Sequence, residues 1–241
     1  MVPGLFAEHS SFNEFKTMLL GHYHILSYDP RGLGKSEKAK DNSYTLNDHV
    51  NDLEALLQKH EIKKCHFFGL SNGGRVALTF AISNPGKVIS VSVSDTYFTV
   101  SELLKLKLNS WYEAQKNGGG LLRFDVATPW IWGETLVQKR PELVQYYRER
   151  ANTIDGDVAL GLIEGAMSGE ISPSEIKFPL QILVGNEDLL TPASYHEKFY
   201  QQLQRQDCEY ALLSGGHGAP LEYPFQFAKR VHAFIQKFYG N

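Results

Sequence analysis

The chain has 241 residues, enough for one large domain or two small ones. Hydrophobic residues make up 42% and charged residues 21%, a composition that fills a core and excludes a disordered chain. The net charge of -3 excludes the clustered basic face of a nucleic-acid binder, and no run approaches the roughly 18 apolar residues of a membrane span.

Phe12, Phe15 and Leu19 recur at i, i+3 and i+7 and predict a helix over residues 10–20. Residues 22–28 read as a short buried strand that ends at Asp29-Pro30. Leu46, Val50, Leu53 and Leu57 share one face of a helix over residues 45–60, and Thr45 with Asp48 resembles a capping box at its start. An apolar strand, Cys65–Leu70, leads into a helix over Asn72–Ser83, which stops at Asn84-Pro85-Gly86. A strand over residues 87–94 follows, carrying Val88, Val91 and Val93.

Residues 97–170 break this rhythm. They are helical in pattern, over 102–116 and 141–154, and hold all three tryptophans, Trp111, Trp130 and Trp132. The stretch is longer than a plain crossover and reads as a helical insertion. The alternation then resumes with a strand at Leu180–Gly185, a helix over 193–204, a strand at Cys208–Leu213 and a closing helix over 225–239. Strands alternating with helices predict an α/β fold, a mostly parallel sheet covered on both faces. Cys65 and Cys208 fall in strands and read as reduced core cysteines, not as a disulfide or a metal site.

Gly69-Leu70-Ser71-Asn72-Gly73 fits G-x-S-x-G. The pentapeptide alone has low specificity, but here a strand runs into it and a helix runs out, the setting that holds a serine on a strained turn above a sheet. A serine hydroxyl needs a base to take its proton. Of nine histidines, eight lie in helices, strands or surface-like segments. His217 lies in the loop Ser214-Gly215-Gly216-His217-Gly218, just past a strand, where α/β sheets place their chemistry. Asp188 follows the Leu180–Gly185 strand and is the candidate acid that orients the base, with Glu187 and Asp95 as rivals.

The chain order Ser71, Asp188, His217 matches that of the α/β-hydrolases. With Tyr28-Asp29-Pro30-Arg31-Gly32-Leu33-Gly34-Lys35-Ser36, similar to the superfamily's D-x-x-G-x-G-x-S turn, and Gly185-Asn186-Glu187-Asp188-Leu189-Leu190-Thr191-Pro192, similar to its acid loop, the chain resembles the α/β-hydrolase superfamily along nearly its whole length. It is most similar to small capped members such as 3-oxoadipate enol-lactonases, related carboxylesterases and cofactor-free haloperoxidase-like proteins. The resemblance implies a core of residues 1–96 and 171–241 and a helical cap, 97–170, after the sixth family strand. It implies catalytic Ser71, Asp188 and His217, and an oxyanion hole made by the backbone N–H groups of Asn72 and Leu5, with Phe6 the rival of Leu5. Pro3 stands where the family's H-G-x loop has histidine.

Family members carry three strands before or up to that loop, whereas this chain begins at it. The third lies between the fourth and fifth, so residues 22–28 and Cys65–Leu70 would lack their shared neighbour. The expectation is that Met1 is not the natural start or that another segment fills the gap. In the cap, Trp130 or Trp132 lines a substrate pocket, or else packs the cap onto the core. Arg123 reads as a solvated arginine or as an anchor for an anionic substrate. The expected activity is that of a cytoplasmic carboxylic ester hydrolase that acts on a small-molecule ester or lactone. No cofactor, metal, nucleic acid or membrane is called for, and the oligomeric state is not legible. The alternatives are a slow, hydrolase-like receptor or sensor, or a peptidase, C–C hydrolase or perhydrolase with the same triad.

Overall fold

A computed structural model describes residues 1–238. Four strands, β1 (Cys65–Leu70), β2 (Val88–Ser94), β3 (Leu180–Gly185) and β4 (Cys208–Leu213), form one sheet in the order β1-β2-β3-β4, and every neighbouring pair is parallel. All six residues of β3 are buried, as expected of a strand covered on both faces. Its one polar member, Gln181, accepts from the Ser92 hydroxyl at 3.0 Å and donates to the Arg230 carbonyl at 3.2 Å.

The first helix is shorter than its pattern predicts. A 3-10 turn at His9–Phe12 precedes α1 (Asn13–Thr17), but Phe12, Phe15 and Leu19 are buried together against Phe68. Helix α2 (Leu46–Lys59) opens with the expected capping box: Thr45 Oγ1 accepts from Asp48 N–H, and Asp48 Oδ2 accepts from Thr45 N–H. Helix α3 (Asn72–Ser83) buries nine residues, including every one from Asn72 to Leu78, because its first turns lie beneath further chain.

Between β2 and β3 stand α4 (Glu102–Ile131), α5 (Glu134–Lys139), α6 (Pro141–Ala151) and α7 (Gly156–Ala166). The predicted helix over 102–116 continues past the glycine run as a second limb, the break falling at Gly119 with φ 71 and ψ -166. These helices are tied to the sheet's loops by polar contacts: Lys107 Nζ donates to the Leu189 and Leu190 carbonyls, and Arg75 at the start of α3 donates to the carbonyls of Ala166, Ser168 and Gly169. The chain then continues through α8 (Ala193–Leu203), α9 (Ala219–Glu222) and α10 (Pro224–Gln236). The predicted end of the closing helix at Tyr239 lies outside the described residues. Among the described residues no helix is long and apolar enough to cross a membrane.

His22 lies in the turn that closes the first helical segment, and residues 23–28 carry no ladder to β1, so the strand expected over 22–28 does not form. At the carboxyl end of β1 the place between them is taken by Val2, whose N–H donates to the Phe68 carbonyl at 2.8 Å and whose carbonyl accepts from Leu70 N–H at 3.2 Å. The Met1 amine donates to the Leu26 carbonyl at 2.7 Å on the other side. Beyond Val2, a slot of about 790 Å³ lined by Ile25, Leu26, Leu57 and Phe67 separates the two segments. Among the described residues, Val2 is thus the partner of β1 on this side, through a single bridge to Gly69, and residues 22–28 belong to no strand.

Candidate active site

Ser71 sits between β1 and α3 with φ 53 and ψ -124, a left-handed conformation that costs a non-glycine residue about 1–3 kcal/mol. Neighbouring groups hold it there. Its N–H donates to the Ser94 carbonyl at 2.8 Å, and its carbonyl accepts from Thr96 Oγ1 at 2.7 Å. The turn needs its glycines for space: a Cβ on Gly69 would lie 2.5 Å from the Gly73 carbonyl oxygen, and one on Gly73 would lie 2.2 Å from that of Val2.

The structure brings His217 and Asp188 to this serine. His217 Nε2 is 2.7 Å from Ser71 Oγ, and its Nδ1 is 3.0 Å from Asp188 Oδ2. Three further donors surround the carboxylate: Leu190 N–H at 2.9 Å and Thr191 N–H at 2.8 Å on Oδ1, and Thr191 Oγ1 at 2.8 Å on Oδ2. All three side chains are buried, so the line of contacts is shielded from bulk water. The His217 loop is held from the helical side, since His217 N–H donates to the Ile131 carbonyl at 2.7 Å.

The rival acids are engaged elsewhere. Glu187 accepts from Thr135 N–H and Oγ1. Asp95 is fully buried, accepts from Gly185 N–H at 2.7 Å and from the Ser94 hydroxyl, and makes no bond to His217. Burial, reinforced by the nearby Asp188, pushes the Asp95 carboxyl well above the usual range. Glu222, beside the His217 loop, is likewise pushed up to about 7, chiefly by burial; its Oε1 accepts from Gly133 and Gly216 N–H.

The Gly4–Ala7 turn packs against the serine, and a Cβ on Gly4 would meet the Leu70 carbonyl oxygen at 2.9 Å and Ser71 Cβ at 3.0 Å. Among the described residues the amides of Leu5, Phe6 and Asn72 donate to no protein acceptor. Phe6 takes φ 61, and the Asn72 side chain accepts from the Tyr97 hydroxyl at 3.2 Å. Leu5, Phe6, Ser71 and His217 all face one cavity of about 130 Å³.

Most of the remaining wall comes from residues 97–170, with Leu70, Leu190 and Leu221 added from the sheet side. Phe124, Ala127, Thr128 and Ile131 line the cavity at i, i+3, i+4 and i+7 of α4. Trp132 lines it too, at 7% exposure. Trp130 does not: it lies on the other face of α4, 36% exposed, with the Lys107 ammonium 4.6 Å above its ring. The expectation of a solvated Arg123 is also overturned, because that residue is 1% exposed and lines the cavity. Trp111, Phe124 and Tyr147 were not singled out in the sequence as wall residues. The face Leu104, Leu108, Trp111, spaced i, i+4, i+7, was the available signal, but a helical face does not say what it covers.

Residues 2–219 match the family described as "Serine aminopeptidase, S33". The chain is 27% identical over 232 residues to a protein of Pseudomonas syringae pv. syringae (strain B728a) named as the carbamate hydrolase RutD, covering 91% of this chain and 86% of that one. It is 24% identical over 225 residues to 3-oxoadipate enol-lactonase 2 of Acinetobacter baylyi, covering 90% and 80% of the two chains. Among solved structures, the α/β hydrolase MGS-M2 from a Medee basin deep-sea metagenome is similar with a TM-score of 0.86 at 27% identity, covering 98% of this chain and 87% of that one.

Proposed function

The chain belongs to the serine aminopeptidase S33 family and is an α/β-hydrolase, and from that premise we propose that it cleaves a small-molecule ester or lactone through an acyl-enzyme on Ser71. The observation that carries this reading is the continuous contact from Ser71 Oγ to His217 Nε2 and from His217 Nδ1 to Asp188, at 2.7 and 3.0 Å. Ser71 Oγ attacks the carbonyl carbon as His217 Nε2 takes its proton. Asp188 holds the Nδ1 proton in place and stabilises the imidazolium. The unpaired amides of Leu5 and Asn72 receive the developing oxyanion, aided by the positive end of α3. Collapse expels the alcohol oxygen, which takes the proton from His217. Water, deprotonated by His217, then attacks the acyl-enzyme and releases the acid and Ser71.

In this reading residues 1–96 and 171–241 supply the chemistry, and residues 97–170 form a cap that supplies most of the acyl pocket. Trp132 is the tryptophan assigned to that pocket. A cytoplasmic setting agrees with Cys65 and Cys208, which are unpaired thiols. The relative named as a carbamate hydrolase supports a second leaving group, since a carbamate carbonyl takes the same attack. The aminopeptidase of the family's description gets no such support: among the described residues no Asp or Glu lines the cavity to hold a free ammonium.

The test is a panel of small esters, lactones and carbamates with wild type and Ser71→Ala. The variant is expected to lose about 10³-fold or more in rate. Equal rates in the two proteins would refute the serine mechanism, and turnover of carbamates alone would move the substrate to that class.

A further inference from the structure

Glu222 stands at the end of α9, 5% exposed, and takes no step in the proposed reaction. What it holds is the loop of the base. Three successive amides of that loop find their acceptors outside the sheet. His217 and Gly218 N–H donate to the Ile131 carbonyl, at 2.7 and 3.3 Å, and Gly216 N–H donates to Glu222 Oε1 at 3.1 Å. The same oxygen accepts from Gly133 N–H at 3.2 Å. One carboxyl oxygen therefore joins the base loop to the helical insertion, beside the direct bonds to Ile131. The fit is close: a Cβ on Gly216 would lie 2.4 Å from Gly133 N, and one on Gly133 would lie 2.9 Å from Glu222 Oε2. Trp132, between Ile131 and Gly133, lines the cavity, and a Cβ on Gly218 would meet its ring at 3.1 Å.

A buried carboxyl is costly, and Oε2 has no partner among the described residues. An apolar side chain of the same size would avoid that cost but would strand both amides. We propose that Glu222 is a positioning residue for His217: it locks the base loop to the segment that carries Trp132, so that the base and the pocket wall keep their places together. This rests on the hydrolase reading for the role of His217, though the lock itself is a matter of hydrogen bonds. His217 Nε2 is 2.7 Å from Ser71 Oγ, and a shift of about 1 Å in a catalytic group can cost about 10²-fold in rate. Asp188 orients the ring through Nδ1, but it does not hold the main chain of residues 216–218.

Glu222→Leu removes the acceptor, whereas Glu222→Gln keeps a carbonyl oxygen for both amides. With an ester that wild type turns over, kcat is expected to fall about 10- to 100-fold in Glu222→Leu, while KM changes by less than about threefold. Glu222→Gln is expected to stay within about threefold of wild type in both constants. A role in stability alone would lower the melting temperature of Glu222→Leu and leave kcat per folded molecule unchanged. The His217 ring gives a reading that needs no turnover: its Nδ1–H proton resonance is expected to shift or broaden in Glu222→Leu and to match wild type in Glu222→Gln. Amide exchange in wild type reads the lock without any variant, since Gly133, Gly216 and His217 are expected to open together at one rate. Wild-type kcat in folded Glu222→Leu, equal losses in the two variants, a loss carried by KM alone, or an unchanged His217 resonance in Glu222→Leu overturns the proposal. So does a Gly133 amide that exchanges freely while Gly216 and His217 stay protected. Failure of the hydrolase reading shows separately, as Ser71→Ala turning over esters at the wild-type rate, and leaves the resonance and exchange results standing.

Discussion

The sheet side of the cavity and its helical side are built by different means. Around Ser71 the main chain does the positioning: a left-handed φ, two glycines pressed against carbonyls, and a carboxylate, Asp188, held by two amides. On the helical side, side chains do it. Phe124, Ile131, Trp132 and Tyr147 form walls from two helices and a loop, and Arg123 Nη1 is left without a partner. In the proposed reading, reactivity is thus fixed by backbone geometry that tolerates little change, while selectivity rests on side chains that can change without disturbing it.

The strongest way to break this comparison is at Asp188. Asp188→Asn keeps an acceptor for the Leu190 and Thr191 amides but places an amide where Oδ2 now faces His217 Nδ1. The imidazole is then held in the wrong tautomer, and kcat is expected to fall about 10³- to 10⁴-fold. Glu187→Gln, whose carboxyl only holds Thr135 on α5, is expected to cost less than about tenfold. Comparable losses in the two variants, measured by steady-state kinetics, would mean that the acid has been misassigned.

A second contrast sets one glycine against another. In Gly73→Ala the new methyl would meet the carbonyl oxygens of Val2 and Pro3 at 2.2 and 2.4 Å, and neither backbone can move freely. A loss of about 3 kcal/mol in unfolding free energy is expected. Gly156→Ala, at the first turn of α7, meets only Gln115 Nε2 at 3.8 Å and is expected to be neutral or to stabilise by up to about 1 kcal/mol. Urea titrations of both variants measure the difference.

The same division explains what could be read from the sequence. Backbone-built features leave local signatures: G-x-S-x-G between a strand and a helix, the capping box Thr45–Asp48, and loops after strands carrying Asp188 and His217. Features that depend on which way a helix faces do not. Trp130 and Trp132 are two residues apart in an apolar run, and only the phase of α4 decides that Trp132 enters the cavity while Trp130 stacks under Lys107. The solvated reading of Arg123 fails for the same reason, because a charged residue on a helix is usually on its outer face and here the phase of α4 buries it. The segment 22–28 has a strand's composition, but a strand is defined by its partner, and among the described residues this segment has no ladder to β1.

At the junction of the two regions the prediction is one of pH. Glu222 Oε1 accepts from Gly133 on the helical side and Gly216 on the sheet side. Its pKa is raised from 4.5 to about 7, so the native state holds the proton more tightly than the unfolded chain. Stability from this group is complete below about 4.5 and is lost as pH rises through 7, by about 3 kcal/mol at most. Asp95, raised by its own burial, acts in the same direction. Glu222→Gln retains the acceptor for both amides, so the fall in urea midpoint between pH 5 and pH 8 is expected to be smaller than in wild type. An equal fall in the two proteins would assign the pH dependence to Asp95 or to other groups.

The smallest expected effect is also the sharpest for the comparison, because it asks whether Arg123 belongs to the rigid scaffold or to the replaceable cavity wall. A buried charge that holds a fold together costs about 3–5 kcal/mol when truncated, since its partner is stranded. Arg123 has no such partner: its terminal nitrogens meet a single carbonyl at 3.3 Å, and the rest of its contact is the Phe6 ring. Methionine fills similar volume and removes the desolvation cost, so Arg123→Met is expected to leave unfolding free energy unchanged or raise it by up to about 2 kcal/mol in the absence of ligand. A loss of several kcal/mol in the ligand-free variant would show that the cation is held by the protein for its own sake, and would put Arg123 with Asp188 and Gly73 on the rigid side of the site.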